Sequence, residues 1–189
     1  GVEVYGKTLG IIGLGDIGSR VAKRASGFGM KILYWSRRRK PYVEKELKAQ
    51  YVDLETLLRE SDFVTIHLAL TDETRGIIGE KELNLMKKTA YLINTARGPL
   101  INEEALYKAL LEGKIAGAAV DVYSKEPPGT DFPLFKLDNV VASPHIASYT
   151  REAMNNMDMM VAEDMVRFFM GKKPLNIANT EVLEKIKLR

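Results

Sequence analysis

Cysteine is absent from the 189-residue sequence, which excludes a disulfide framework and any thiolate-bound metal and makes a reducing cytoplasm the expected compartment. Long apolar runs are missing too. None approaches the length of a membrane span, and the first residues lack the basic, apolar and small-residue layout of a signal peptide, so no membrane partner is expected. Charge of one sign is also scarce. The 28 basic residues are nearly balanced by 25 acidic ones, leaving a formal net charge of +3, too mild and too evenly spread for nucleic acid as the main partner. Internal repeats and long low-complexity tracts do not occur. The chain opens on Gly1 rather than Met, a start that suits an excised domain or a trimmed amino terminus.

What is present is ordinary for a globular protein: 46% apolar and 28% charged residues, in a length that one core, or one domain with an appendage, can serve. Short apolar runs at Leu9 to Leu14, Ile32 to Trp35, Gln50 to Val52, Phe63 to Leu68, Ala90 to Ile93, Ile115 to Val122 and Val140 to Ala142 alternate with amphipathic stretches. Those stretches lie near Ile17 to Phe28, Tyr42 to Leu47, Leu54 to Arg59, Glu80 to Met86 and Glu103 to Leu111. Such alternation predicts stacked βαβ units, an α/β fold with a doubly wound parallel sheet of about seven strands. Asn102 reads as an N-cap and Gly113 as a stop. A last helix is expected from Thr150 to about Phe169, ended by Gly171. Its stripe of Met154, Met157, Val161, Met165 and Phe168 suits core or interdomain packing better than a ligand site.

Gly13-Leu14-Gly15-Asp16-Ile17-Gly18 is a GxGxxG between an apolar strand and a helical pattern, the context of a Rossmann-type phosphate loop. Gly13 allows the tight turn, Gly15 lets the backbone approach a pyrophosphate, and Gly18 lets helix and strand pack closely, with the N–H groups at the helix start facing the anion. A glycine-rich turn without a ligand is the plainer alternative. At the end of the second strand, where an acidic residue would bind the adenosine ribose of NAD, the sequence reads Ser36-Arg37-Arg38-Arg39-Lys40. A hydroxyl and guanidinium forks favour a 2′-phosphate there, so NADP(H) is expected, with NAD(H) the alternative if the arginines form only a solvated turn.

The chain resembles the D-isomer-specific 2-hydroxyacid dehydrogenases over nearly its whole length. The likeness rests on the glycine loop and on four further segments in the same order: His67-Leu68-Ala69-Leu70-Thr71, Ile93-Asn94-Thr95-Ala96-Arg97-Gly98, Val120-Asp121-Val122-Tyr123 with Glu126-Pro127, and Ser143-Pro144-His145-Ile146-Ala147-Ser148. It implies that Arg97 binds the carboxylate and carbonyl oxygens of a 2-oxo acid, that His145 exchanges a proton with the substrate oxygen, and that Glu126 orients His145 and favours its protonated form. Cofactor contacts implied by the resemblance are Gly13, Gly15, Asp16, Ile17, Gly18, Ser36, Arg37, Arg38, Leu70, Thr95, Ala96, Asp121, His145 and Ser148. No metal site is expected. His67 lies in an apolar strand and reads equally as a satisfied core histidine. Ala69 stands where the family often has proline.

The resemblance also implies a dinucleotide-binding domain over residues 1–149 and an interdomain helix and tail over 150–189, with an amino-terminal substrate domain missing from this chain. Such a chain should bind dinucleotide yet turn over poorly. Glyoxylate or hydroxypyruvate reduction is the expected activity, with phosphoglycerate or D-lactate dehydrogenase, a dinucleotide-sensing corepressor and a purely structural domain as alternatives. A homodimer formed through the nucleotide domain is expected.

Overall fold

A computed structural model describes residues 1–185; the end of the tail read from the sequence, residues 186–189, lies outside the described residues. The chain divides into two compact units, Gly1–His145 and Ile146–Arg189. In the first, the strands are β1 (Thr8–Ile12), β2 (Lys31–Trp35), β3 (Gln50–Tyr51), β4 (Phe63–Ile66), β5 (Tyr91–Asn94), β6 (Gly117–Val120) and β7 (Val140–Ala142). Between them run the helices α1 (Asp16–Gly27), α2 (Pro41–Leu47), α3 (Leu54–Glu60), α4 (Glu80–Leu85) and α5 (Glu103–Leu111). Every strand pair is parallel and the order is β3-β2-β1-β4-β5-β6-β7, the doubly wound α/β architecture that the alternation predicted. All the carboxyl ends of the strands therefore share one edge of the sheet. The winding reverses between β1 and β4, and their outgoing loops diverge to open a crevice.

Side-chain alternation along each strand builds a core on both faces. Ile12, Leu33, Val64, Ile66 and Leu92 pack with Leu57 and Leu58 of α3, Leu83 of α4 and Leu106 and Leu110 of α5. On the opposite face Leu9, Ile11, Ile32 and Tyr34 pack with Ala22 and Ala25 of α1 and Val43 of α2. Strands are shorter than the apolar runs suggest: β1 stops at Ile12, β4 at Ile66, and β6 takes only Gly117–Val120 of the run beginning at Ile115. Gly13, at φ +99°, turns the chain out of β1, while Leu14 and Val122 stay buried in loops. Apolar character there reports burial, not strand pairing.

Local punctuation agrees with the sequence. Asn102 Oδ1 accepts from the Ala105 N–H at 3.0 Å, and Gly113 closes α5 at φ +64°. Less legible was Asp62, just before β4. Its carboxylate accepts from the Thr8 N–H at 2.9 Å and the Lys87 ammonium at 2.8 Å, tying together the segments that start β1 and precede β5. Partial burial pushes its pKa up, but the Lys87 and Thr8 bonds outweigh that and leave it below the ordinary value. The unfolded chain then binds more protons near the carboxylate range, so this stabilisation is present above about pH 4 and is lost as pH falls through the folded value. Asp62→Asn should cost about 1–2 kcal/mol at pH 7, a difference from wild type that urea unfolding should show shrinking below about pH 4.

In the second unit α6 (Arg151–Phe169) is capped by Thr150, whose Oγ1 accepts from the Ala153 N–H at 3.1 Å, and Gly171 follows it at φ +73°. None of its residues is buried, so the methionine stripe is not core, correcting that half of the expectation. Instead Met157, Met160, Val161, Met165 and Phe168 line a groove of about 720 Å³ completed by residues 174 and 176–179. No helix among the described residues is long and apolar enough to cross a membrane.

Candidate functional site

The turn after β1 is shaped by three glycines with separate geometric duties. Gly13 donates to the Trp35 carbonyl at 2.8 Å, and a Cβ on it would lie 2.6 Å from the His67 carbonyl oxygen. A Cβ on Gly18 would strike the Gly13 carbonyl oxygen, whereas one on Gly15 would meet nothing within 4 Å. Gly15 is the N-cap of α1, and no side chain caps the helix. Open space thus faces N–H groups at a helix start, an arrangement suited to an anion that approaches the backbone closely.

Gly15, Asp16 and Ile17 line a cleft of about 560 Å³ together with His67, Leu68, Ala69 and Leu70 after β4 and Thr95, Ala96 and Arg97 after β5. Seven of the candidate residues therefore share one cavity at the crevice: Gly15, Asp16, Ile17, Leu70, Thr95, Ala96 and Arg97. His67 also lies there, with Nε2 3.0 Å from Thr65 Oγ1. Burial pushes its pKa down, so it is neutral at pH 7 and behaves as a satisfied, partly buried histidine.

The loop carrying Arg97 is held by Asn94, a residue to which the sequence reading gave no role. Asn94 is 1% exposed; its Nδ2 donates to the Arg97 carbonyl at 2.9 Å and its Oδ1 accepts from the Ala96 N–H at 3.0 Å. A polar side chain closing an otherwise apolar strand was the available signal. The exposed Arg97 guanidinium spends one donor on the Ala96 carbonyl at 2.6 Å, leaving the rest of its fork for a ligand.

Beyond β6 and β7 the chain assembles a second constellation. Asp121, 3% exposed, accepts from Ser143 Oγ at 2.6 Å, and Tyr123 Oη donates to the Ser143 carbonyl at 2.8 Å. Glu126 accepts from the Tyr123 N–H through Oε1 at 3.0 Å and meets His145 Nδ1 through Oε2 at 2.7 Å. The His145 hydrogen bond first, then the Tyr123 N–H, hold the Glu126 pKa below its usual value, with a smaller contribution from the Arg97 charge. Glu126 is therefore ionised at neutral pH and can only accept, which puts the Nδ1 proton on His145 and turns Nε2 outward. His145 sits at φ +56°, a left-handed conformation uncommon for a residue with a side chain. Neither Ser143 nor Tyr123 was singled out from sequence, because the side-chain bonds that make them supports join residues twenty or more positions apart.

Downstream of β2 the basic run divides. Ser36 is buried and its Oγ donates to the Arg38 carbonyl at 2.5 Å. Arg39 makes a two-pronged ion pair with Glu44 at 3.1 and 2.7 Å, a correction to the view of the whole run as anion-binding: an adjacent carboxylate has already claimed this guanidinium. Arg37 and Arg38 are exposed and make no ion pair among the described residues. Ser148 belongs to the second unit and is exposed.

Residues 1–147 match the family described as D-isomer specific 2-hydroxyacid dehydrogenase, NAD binding domain. A glyoxylate reductase of Aeropyrum pernix is 58% identical over 184 residues, covering 97% of this chain and 55% of that protein. Among solved structures, the NAD-complexed D-isomer specific 2-hydroxyacid dehydrogenase of Lactobacillus delbrueckii ssp. bulgaricus superposes with a TM-score of 0.85 at 38% identity, covering 94% of this chain and 58% of that one. A glyoxylate reductase from Paecilomyes thermophila gives 0.81 at 43% identity over 88% of this chain and 50% of its own. The chain spans about half the length of these relatives, 50–58%. By the family match, the shared fold and the residues at its sheet edge, the chain belongs to the D-isomer specific 2-hydroxyacid dehydrogenases and carries their NAD binding domain.

Proposed function

We propose that this chain is the coenzyme-binding half of an NADP(H)-preferring dehydrogenase that reduces a small 2-oxo acid, glyoxylate or hydroxypyruvate, to its 2-hydroxy acid. The observation that carries the reading is the His145–Glu126 pair at 2.7 Å, on the same sheet edge as Arg97 and the glycine loop. Similarity to glyoxylate reductases supports the substrate class. On this reading residues 1–149 bind the dinucleotide, while 150–189 supply a helix and tail that pack on a substrate domain outside this chain.

The glycine loop fits a pyrophosphate, since Gly15 leaves open space before an uncapped helix start, with Gly13, Asp16, Ile17 and Gly18 completing the turn. Leu70, Thr95, Ala96, Asp121, His145 and Ser148 are the further candidate contacts to the dinucleotide. When bound, the dinucleotide supplies the hydride for the substrate carbonyl carbon. Arg97 holds the carboxylate and polarises the adjacent carbonyl with its remaining donors. His145 gives a proton from Nε2 to the carbonyl oxygen during reduction and takes it back during oxidation, while ionised Glu126 fixes the ring through Nδ1.

NADP(H) over NAD(H) follows from the exposed Arg37 and Arg38 and from the lack of a carboxylate at the end of β2. Ser36 contributes by shaping the turn through its bond to the Arg38 carbonyl. Calorimetric titration should show NADPH binding about tenfold or more tighter than NADH, and Ser36→Ala with Arg37→Ala removing that margin. Stronger NADH binding by the wild type would overturn the coenzyme assignment, and failure to bind either would overturn the dinucleotide reading. A homodimer through the nucleotide domain belongs to the same reading, and sedimentation of the complete protein tests it. A cysteine-free chain suits the reducing cytoplasm, where we place it.

A further inference from the structure

We infer that Tyr34 and Glu44 are positioning residues that hold the turn between β2 and α2 in the shape that presents Arg37 and Arg38 to the 2′-phosphate, and that Arg39 is a strut of this turn. The inference rests on the NADP(H) reading above and assigns coenzyme discrimination partly to side chains outside the segments that carry the family resemblance.

The geometry begins with a buried tyrosine. The ring of Tyr34 is 0% exposed in the core between β2 and α2, yet its hydroxyl has two partners: it donates to Glu44 Oε1 at 2.6 Å and accepts from the Lys40 N–H at 2.9 Å. One atom thus joins β2 to the last residue of the turn and to the first turns of α2. Glu44 extends the junction by gripping Arg39 through Nε and Nη2 at 3.1 and 2.7 Å, and the Arg39 guanidinium carbon lies 5.4 Å from the centre of the Tyr51 ring. At the opposite end of the turn Ser36 Oγ holds the Arg38 carbonyl. Both ends are therefore tied, and the two side chains between them, those of Arg37 and Arg38, make no hydrogen bond or ion pair among the described residues. A dianion is bound best by donors whose backbone is already ordered, because ordering a flexible turn at the moment of binding subtracts from affinity. Without the clamp, three adjacent arginines would also repel one another in the free state.

The informative variants keep net charge constant. Removing the Glu44 charge alone would free Arg39 and strengthen the local positive field, which acts against the loss of positioning. Tyr34→Phe deletes only the hydroxyl, and the double substitution Arg39→Gln with Glu44→Gln removes both charges of the ion pair. Each should weaken NADPH binding to the 189-residue chain by about five- to tenfold while leaving NADH within about twofold. A side chain that merely stabilises the fold would not move that ratio. Equal weakening of both nucleotides, or no change in either, overturns the positioning role. Arg37→Ala with Arg38→Ala, titrated alongside, separates the two levels. If wild type discriminates and this pair abolishes the margin, the coenzyme reading stands whatever the clamp variants do. If wild type does not prefer NADPH, the coenzyme reading fails and the clamp role falls with it.

Discussion

Replacing His145 with glutamine is expected to lower turnover of the complete dehydrogenase on glyoxylate by about 10²–10⁴-fold while leaving dinucleotide affinity within about twofold. Glutamine keeps a polar group of similar reach and can still bond to Glu126, but it cannot deliver a proton from the position of Nε2. Hydride transfer would then leave an alkoxide with only water to protonate it. Because Arg97 and the glycine loop are untouched, the loss should fall on kcat more than on KM. Stopped-flow reduction beside a binding titration checks this. Undiminished turnover would remove His145 from the chemistry, and a parallel collapse of nucleotide affinity would make its implied cofactor contact its main role. Glu126→Gln should give a smaller loss, since the ring keeps a hydrogen-bonding neighbour but loses the ionised carboxylate that now holds Nδ1–H at 2.7 Å.

The second large effect is expected from a single methyl group. A Cβ on Gly98 would fall on the Tyr123 carbonyl and the Ser124 nitrogen, and backbone cannot swing aside as a flexible side chain can. Gly98 is buried between the loop that carries Arg97 and the segment that carries Glu126, so Gly98→Ala must push the two apart. Overpacking of this kind costs about 1–3 kcal/mol, and more where only backbone can yield. For a chain of this size that predicts a melting temperature lower by roughly 2–12 °C. The functional consequence reaches beyond stability. Tyr123 supplies the N–H that anchors Glu126 Oε1 at 3.0 Å, so moving it should misplace His145 and lower kcat/KM by about tenfold or more at temperatures where the variant stays folded. Calorimetric melting with kinetics well below the transition separates the two, and wild-type behaviour in both would show that the loops are not in contact as described.

Much of the fold was legible because it is written in short-range pattern. The seven apolar runs fall on the seven strands, and the caps at Asn102 and Thr150 are where side-chain chemistry put them. Errors concentrated at strand ends. Leu14 and Val122 are apolar because loops bury them, and no one-dimensional pattern separates a buried loop residue from a strand residue. Motif residues of the candidate site were legible as well, since a backbone conformation such as that of Gly13 at φ +99° leaves a residue-type signature. The supporting residues were not. Asn94, Ser143, Tyr123 and Glu44 carry ordinary residue types; the partners of Asn94 and Glu44 lie within ten positions, in turns whose shape no residue type announces, while Ser143 meets Asp121 and Tyr123 only because the fold brings them together.

By itself the sequence determined the alternation of elements, the glycine turn before α1 and the residue types available at the sheet edge, because periodicity, capping and glycine conformation act within a few residues. Only the tertiary structure decided which of those residues are free to act. Arg39 and Arg38 are neighbours in an unbroken basic run, yet Arg39 is engaged by Glu44 at 2.7 Å while Arg38 makes no ion pair among the described residues. Likewise Glu126 and His145, nineteen positions apart, become one hydrogen-bonded pair because the parallel order β6-β7 brings the loops leaving those strands to one edge. A charge is spent or available according to its distance from its counter-charge, and the fold sets that distance, through the turn into α2 for Arg39 and Glu44 and through the order of the strands for Glu126 and His145.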